Sequence, residues 1–280
     1  MILVADSGSS KSDWRLIDQQ QIKQFSCRGL NPDFNTTEEI FSEVNPLFSN
    51  DEKLNVKDLF FYGSGCSSFT RNKIVEDGLL PIFPNATIRI EHDLLGAARA
   101  ACAKNAGLAG ILGTGSNCCA FDGKQVTKEF RSGGFIIGDE GGGVDLGKRL
   151  VKGFIEGKMP SDLKDKFDFR YALSVDEILR KLYKEPQPNR FLASFSSFVF
   201  QHREHPYISD LIQNSFRAYF NEQVLRFEES ASQPLSLVGS IAFYYHEFIR
   251  QVAKEVNVEI GQILEKPISG LALYHQELLD

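Results

Sequence analysis

Gly113-Thr114-Gly115-Ser116-Asn117 stands at the end of a short apolar run, Leu108–Leu112, and just before a strand-like stretch, Cys118–Phe121. Asp122-Gly123 is a hairpin turn signal ahead of Lys124–Phe130. The same order occurs at the front of the chain. Met1–Ala5 is apolar and runs into Asp6-Ser7-Gly8-Ser9-Ser10-Lys11-Ser12. Trp14, Leu16 and Ile17 then suggest a second strand, and Gln21–Phe25 a third. Strand, glycine turn and strand thus appear twice, about a hundred residues apart. The residues themselves do not repeat; the order of elements does.

Each turn has two readings. One is an ordinary hairpin connection. The other is an anion cradle, because glycine and serine let the backbone approach an anion and successive N–H groups form a nest. In the first loop Ser9, Ser10 and Ser12 add hydroxyls and Lys11 a point charge, while Asp6 suits a Mg²⁺ ion held largely through waters. The second loop has the same logic without the acid. Neither loop satisfies G-x-G-x-x-G, since position 118 is Cys118. The nearest approach to a P-loop, Gly133 to Gly138, is followed by Asp139 and Glu140, the wrong charge for a phosphate.

The chain has 280 residues, 42% hydrophobic and 24% charged, enough apolar material for a real core. Domains of ~100–200 residues make two the default. The expected division is 1–106 and 107–280, with a hinge near Asn105–Gly107. A net charge of -6 gives no electrostatic reason to seek nucleic acid or an anionic membrane. The five cysteines, Cys27, Cys66, Cys102, Cys118 and Cys119, are odd in number and contain no CxxC, so they frame neither disulfides nor zinc. No signal-peptide pattern and no run of ~18 apolar residues is present. A cytoplasmic location is therefore expected.

Between the two turns the sequence predicts a helix opened by Thr36 or Thr37, a strand Leu59–Tyr62, a helical Lys73–Leu79, a strand Ala86–Ile90 and a small-residue helix Leu94–Lys104. From Val144 to about Ser232 the pattern is helical. There Phe191, Phe195, Phe198 and His202 share one face and read as core packing. A buried strand Leu235–Val238, a helix Ile241–Lys254, a strand Val258–Leu264 and a helical Leu271–Leu279 complete the chain. The region Lys152–Ser232 offers a surface for a homodimer, but nothing in it distinguishes that from internal packing.

Three further stretches carry chemistry. Asp93 lies where a strand gives way to a helix. It reads as an N-cap or as a general base for a substrate hydroxyl. Gly138-Asp139-Glu140-Gly141 sets paired carboxylates among glycines, either as acids at a helix start or as acceptors for sugar hydroxyls. Gly239-Ser240-Ile241-Ala242 and Gly270-Leu271-Ala272 read as strand-to-helix glycine turns that can pack flat against an adenine ring.

Taken in order, these motifs resemble the BadF/BadG/BcrA/BcrD group of the acetate kinase–sugar kinase–Hsp70–actin superfamily, and within it the N-acetylglucosamine kinases. The resemblance spans essentially the whole chain. It implies a two-lobed actin-like (ribonuclease H-like) α/β ATPase fold, with a mixed sheet and flanking helices in each lobe and a cleft between them. Asp6–Ser12 resembles the first phosphate motif, with Gly8, Ser9, Ser10 and Lys11 on the ATP phosphates and Mg²⁺ near Asp6. Gly113, Thr114 and Gly115 resemble the second phosphate motif, and Gly239, Ser240 and Gly270 the adenosine-side glycines. Asp93 falls on the catalytic aspartate, and Asn31, Ser116, Asn117 and Asp139 fall on sugar contacts. The implied reaction moves the γ-phosphoryl of ATP to the 6-hydroxyl of an amino sugar, N-acetylglucosamine first. The family's Gly-Gly-Trp-Gly segment is replaced here by Ser132-Gly133-Gly134-Phe135. The group also contains iron–sulfur ATPases that activate a partner reductase or dehydratase, and the wider fold contains non-catalytic nucleotide binders. Those are the two alternatives.

Overall fold

A computed structural model describes residues 1–8, 11–19 and 21–276. In chain order its strands and helices begin with β1 (Ile2–Ser7), β2 (Lys11–Ile17) and β3 (Ile22–Arg28), then α1 (Thr37–Val44), α2 (Asn50–Asn55), β4 (Asp58–Gly63), α3 (Phe69–Leu79), β5 (Thr87–His92) and α4 (Asp93–Cys102). Next come β6 (Gly107–Leu112), β7 (Ser116–Phe121), β8 (Val126–Glu129), α5 (Gly134–Ile137), α6 (Gly143–Ile155), α7 (Ser161–Tyr171), α8 (Val175–Tyr183), α9 (Pro188–Ser194), α10 (Ser196–Gln201) and α11 (Pro206–Tyr219). The last are β9 (Leu235–Val238), α12 (Ser240–Tyr244), α13 (His246–Glu255), β10 (Ile260–Leu264) and α14 (Ile268–Gln276).

The two sheets have the same plan. The first runs β3-β2-β1-β4-β5 and the second β8-β7-β6-β9-β10. In each, a hairpin is antiparallel and the next strands return parallel: β1 pairs antiparallel with β2 and parallel with β4, as β6 does with β7 and β9. The recurrence expected from the order of elements is therefore real at the level of topology.

The chain divides into two compact units. The first holds Met1–Asn105, Gly123–Val126 and the segment from Lys266 onward; the second holds Ala106–Asp122 and Thr127–Glu265. The units part between Asn105 and Ala106, and α14 packs with the first unit.

The first unit's core sits between β1, β2, β4 and the helices α1 and α3. Trp14 and Phe61 are fully buried there, with ring centroids 5.9 Å apart, and Phe48 meets Trp14 edge-on at 6.0 Å. Local signals agree with the elements. Thr36 caps α1 with Glu39 in a capping box, and Ser49 does the same for α2 with Glu52. On the opposite face, α4 receives α14. The bare Cα of Gly270 lies where a Cβ would stand 2.4 Å from the Ala100 carbonyl oxygen. The small residues of α4 thus do pack closely on a helix. His275 is buried in α14. Its Nε2 lies 2.8 Å from the Tyr62 hydroxyl, which itself accepts from Arg99. Burial, with the nearby Arg99 and Arg89 charges, pushes the imidazole down to about 3, so it stays neutral.

The second unit's core packs β6, β7 and β9 against α6, α9, α10, α11 and α13, with Phe167, Phe195, Phe198, Phe216 and Tyr219 fully buried. Three expectations change here. The Phe191–His202 face is not one helix: α9 ends and α10 begins at Phe195, although the face does pack inward. The helix over 241–254 breaks at Tyr245, whose hydroxyl donates to the Ser196 carbonyl at 2.7 Å. Gly270 lies inside α14 rather than at a turn, because its missing side chain admits α4. The expected helix end at Leu279 lies outside the described residues. Among those residues no helix is long and apolar enough to cross a membrane.

Gly270→Ala tests the α4–α14 contact by its sign. Helix propensity alone would stabilise by about 1 kcal/mol. A methyl pressed on backbone should instead destabilise by roughly 1–3 kcal/mol, as read from urea unfolding midpoints.

Candidate active site

The first unit gathers its chemistry at the carboxyl ends of β1, β4 and β5. The turn after β1 is shorter than the sequence suggested. Asp6 and Ser7 belong to β1 and Lys11 and Ser12 to β2, paired Asp6 with Asp13 and Ser7 with Ser12. Gly8 N donates to the Lys11 carbonyl at 2.9 Å and closes the turn. Ser9 and Ser10 lie outside the described residues. Two polar side chains of this loop have partners within the protein. Lys11 Nζ donates to Asp13 Oδ1 at 2.7 Å on the surface, and the Ser12 hydroxyl sits buried 2.6 Å from Ser7 Oγ. Ser7 Oγ also accepts from Leu30 N at 3.0 Å, which fixes the segment carrying Asn31.

Asp6 and Asp93 are the charged centre of this edge. Asp6 keeps a little solvent contact, yet crowding by protein makes burial the largest cause raising its pKa to about 7. The negative charges of Asp93 and Asp13 add to the rise, and Lys266 opposes it. Asp93 is also raised, chiefly by burial. It is held against that rise by His92, by backbone N–H groups including that of Leu94, and by the Ser64 hydroxyl. The N-cap reading of Asp93 is corrected. His92 is the cap, its Nδ1 accepting from Leu95 N at 3.4 Å, and Asp93 is the first helical residue. Its carboxylate accepts from first-turn N–H groups without being the cap.

Asn31 is buried beside the same edge. Its Oδ1 accepts from Asp33 N at 2.8 Å. A Cβ on Gly65, which has φ +86°, would stand 2.4 Å from that oxygen. The Gly63-Ser64-Gly65 turn thus makes room for Asn31 and directs Ser64 at Asp93.

The second unit builds its site around Gly113–Gly115. The carbonyls of Gly113 and Thr114 accept from Gly143 N and Val144 N, each at 2.9 Å. These bonds serve the first turn of α6, whose Gly142 cap has no side chain to do so. Ser116 and Asn117 already lie in β7. The bare face of Gly115 is filled by the Asp139 carboxyl, 2.7 Å from where a Cβ would stand. Asp139 Oδ1 accepts from Ser116 N at 3.3 Å and from the Ser132 hydroxyl at 3.4 Å. Burial raises the Asp139 carboxyl, and those two bonds and Lys148 counter it. Asp139 has φ +60° and Gly141 φ +75°, so the turn is tight on both sides of Glu140. A cavity of about 240 Å³ opens here, lined by Asn117, Asp139, Glu140, Gln223, Phe130 and Arg226 among others.

Gly239, with φ +125°, is a true strand-to-helix turn; a Cβ there would meet the Leu112 carbonyl oxygen at 2.2 Å. Ser240 is exposed at the start of α12. Gly270, the other expected adenosine-side glycine, lies within α14 and not at a turn. Cys118 and Cys119 are buried within β7. Among the described residues no group of three or more His, Cys, Asp or Glu side chains could hold a metal ion alone.

Two residues escaped the sequence reading. Asp145 is buried in α6, and its Oδ2 accepts from Ser215 Oγ at 2.6 Å, Arg149 Nε at 2.9 Å and Gly141 N at 3.3 Å. Its spacing of four from Arg149 was the available signal. Gln223 Nε2 donates to Ser116 Oγ at 2.7 Å and Glu140 Oε2 at 2.9 Å; no local pattern announced it.

No family model matches the chain, and no curated protein matches it. Among solved structures it is similar to the putative N-acetylglucosamine kinase of Porphyromonas gingivalis, with 37% identity, a TM-score of 0.93 and 99% of each chain covered. It is also similar to a putative N-acetylglucosamine kinase of Chromobacterium violaceum, at 14% identity and TM-score 0.76 over 98% of each chain. A ROK family glucokinase of Streptomyces griseus, solved with glucose and AMPPNP, matches at 14% identity and TM-score 0.59, covering 99% of this chain and 98% of its own. The last two likenesses are of fold.

The Asp6 carboxyl supplies a pH test. Its folded pKa lies above the unfolded value of 3.8. The folded state therefore holds a proton that the unfolded state releases, and stability falls as pH rises from about 4 to about 7. Asp6→Asn removes that loss. Its stability relative to the parent should be unchanged near pH 4 and higher by roughly 2 kcal/mol near pH 8, allowing for solvent screening, as measured by urea unfolding at both values.

Proposed function

The chain belongs to the N-acetylglucosamine kinase-like family of the sugar kinase–Hsp70–actin superfamily, and on that premise we propose that it is an ATP-dependent sugar kinase. The proposed reaction transfers the γ-phosphoryl group to the 6-hydroxyl of an amino sugar, with N-acetylglucosamine as the favoured acceptor. The observation that carries this reading is Asp93, a carboxylate at the head of α4, oriented by Ser64 and the Leu94 N–H and raised by burial.

A general base works best with a pKa near the working pH, and burial moves Asp93 in that direction. Ser64 and the Leu94 N–H fix its orientation. Asp93 would take the proton of the acceptor hydroxyl as the phosphoryl group leaves ADP. Little covalent work falls to the protein in such a transfer, so rate comes from positioning and charge. In the first unit Asn31 would accept from or donate to sugar hydroxyls, while Gly8 with Ser9, Ser10 and Lys11 would face phosphate. In the second, Gly113, Thr114 and Gly115 would face phosphate, Ser116, Asn117 and Asp139 the sugar, and Gly239 and Ser240 the adenosine.

The donor set also fits a magnesium ion. Asp6 and Asp93 repel one another in a crowded edge, which a dication would relieve, and Mg²⁺ keeps most of its waters and needs few protein ligands. Asp6 would hold it through water, and the ion would neutralise phosphate charge.

ADP release measured with ATP, Mg²⁺ and a panel of hexoses and amino sugars tests the proposal. N-acetylglucosamine should stimulate release most. Asp93→Asn should lower kcat by roughly 10²–10⁴-fold with nucleotide affinity retained. If no sugar stimulates release and the substitution changes nothing, the kinase reading is wrong.

A further inference from the structure

We propose that Gln223 is the positioning residue of the acceptor pocket, an assignment that rests on the sugar-kinase reading. The backbone gives the first indication. After α11 the chain opens into a π-helical turn over Phe220–Val224, closed by Leu225 N donating to the Phe220 carbonyl at 2.8 Å. Such turns are rare and concentrate at functional sites. Here the ends are pinned, since Phe220 and Val224 are fully buried. Gln223, between them, is half-buried and lines the cavity that Asp139 and Glu140 also line.

The hydrogen bonds give the second. A glutamine amide has two N–H donors, and Gln223 directs both inward, to Ser116 Oγ and to Glu140 Oε2. Ser116 Oγ is thereby an acceptor, so its own proton is available to another partner. Glu140 is held by one oxygen and keeps the lone pairs of the other. Ser116 N in turn donates to Asp139. One amide therefore sets the hydroxyl of Ser116, the carboxylate of Glu140 and, through the Ser116 backbone, the seat of Asp139. The cavity beside this network is lined by Asp139 and Glu140 together with Arg131 and Arg226, a polar wall of donors and acceptors that suits a polyhydroxylated acceptor. Gln223 need not touch the phosphoryl group to act.

The test uses the full chain with Gln223→Met, which keeps length and removes hydrogen bonding, and Gln223→Glu, which replaces both donors by acceptors beside Glu140. Loss of a charge-assisted bond should raise the acceptor KM by roughly 10–100-fold. The ATP KM and kcat should stay within about threefold of the parent. The Gln223→Glu defect should shrink between about pH 7.5 and about pH 5.5, because protonating the introduced carboxyl restores a donor. A merely structural role would shift kcat and both KM values together, with no such pH recovery. If the parent shows sugar-dependent ADP release and both variants keep its acceptor KM, the Gln223 assignment is overturned and the kinase reading stands. If no sugar stimulates the parent, the kinase reading falls and takes this assignment with it.

Discussion

The structure depends on the cost of placing carboxylates in crowded protein. Parallel pairing of β1, β4 and β5 brings their carboxyl ends to one edge, and that edge holds Asp6 and Asp93. Desolvation holds both carboxyls above their ordinary range, and at Asp6 the negative charge of Asp93 adds to the rise. Keeping either carboxylate ionised there costs free energy, so the edge is less stable than one with apolar residues in those places. The rest of the first unit compensates. Trp14, Phe48, Phe61 and Phe83 form an aromatic core under the sheet, and α14 closes the other face through Gly270 and His275.

The second unit meets a related problem by interlocking bare backbone with a carboxyl. Gly115 has no side chain, so Asp139 fits against it; Gly142 has none, so the carbonyl of Gly115 fits against α6. Any side chain at either glycine would displace the other partner. The loop carbonyls then serve the first turn of α6, which frees that helix from needing a capping side chain. A single short turn thus anchors a helix and seats an acid at once.

Much of this was legible in residues. Apolar runs stopped by glycine located β1, β4, β6 and β9. Thr36 with Glu39 marked a helix start by local chemistry, as Ser49 with Glu52 could have done for α2. What failed depended on partners distant in sequence. Gly270 looked like a turn because glycine usually punctuates, and only the carbonyl of Ala100 explains it inside a helix. The Phe191–His202 face kept its inward period across a break at Phe195 that periodicity cannot register. The pairing of Lys11 with Asp13 across two positions of one strand is a matter of rotamer, not of pattern, so it too was not legible. Gln223 was invisible because it works 83 positions from Glu140 and 107 from Ser116.

That distance bears on why the Asp139 turn can hold an unfavourable backbone. A non-glycine residue at φ +60° costs on the order of 1 kcal/mol and persists only if its surroundings over-determine it. Three elements do so. β7 contributes Ser116 N to the Asp139 carboxyl, α6 contributes Asp145 to the Gly141 N–H, and the π turn after α11 contributes Gln223 to Glu140. Consecutive residues are thus gripped from different sides. Asp145 is itself held by Ser215 of α11 and by Arg149, so α11 supports the turn through α6 and the π turn that follows it supports the turn directly. A loop fixed by its own sequence would need only glycines. This one carries two acids in a strained turn because the helices around it are rigid enough to hold them there.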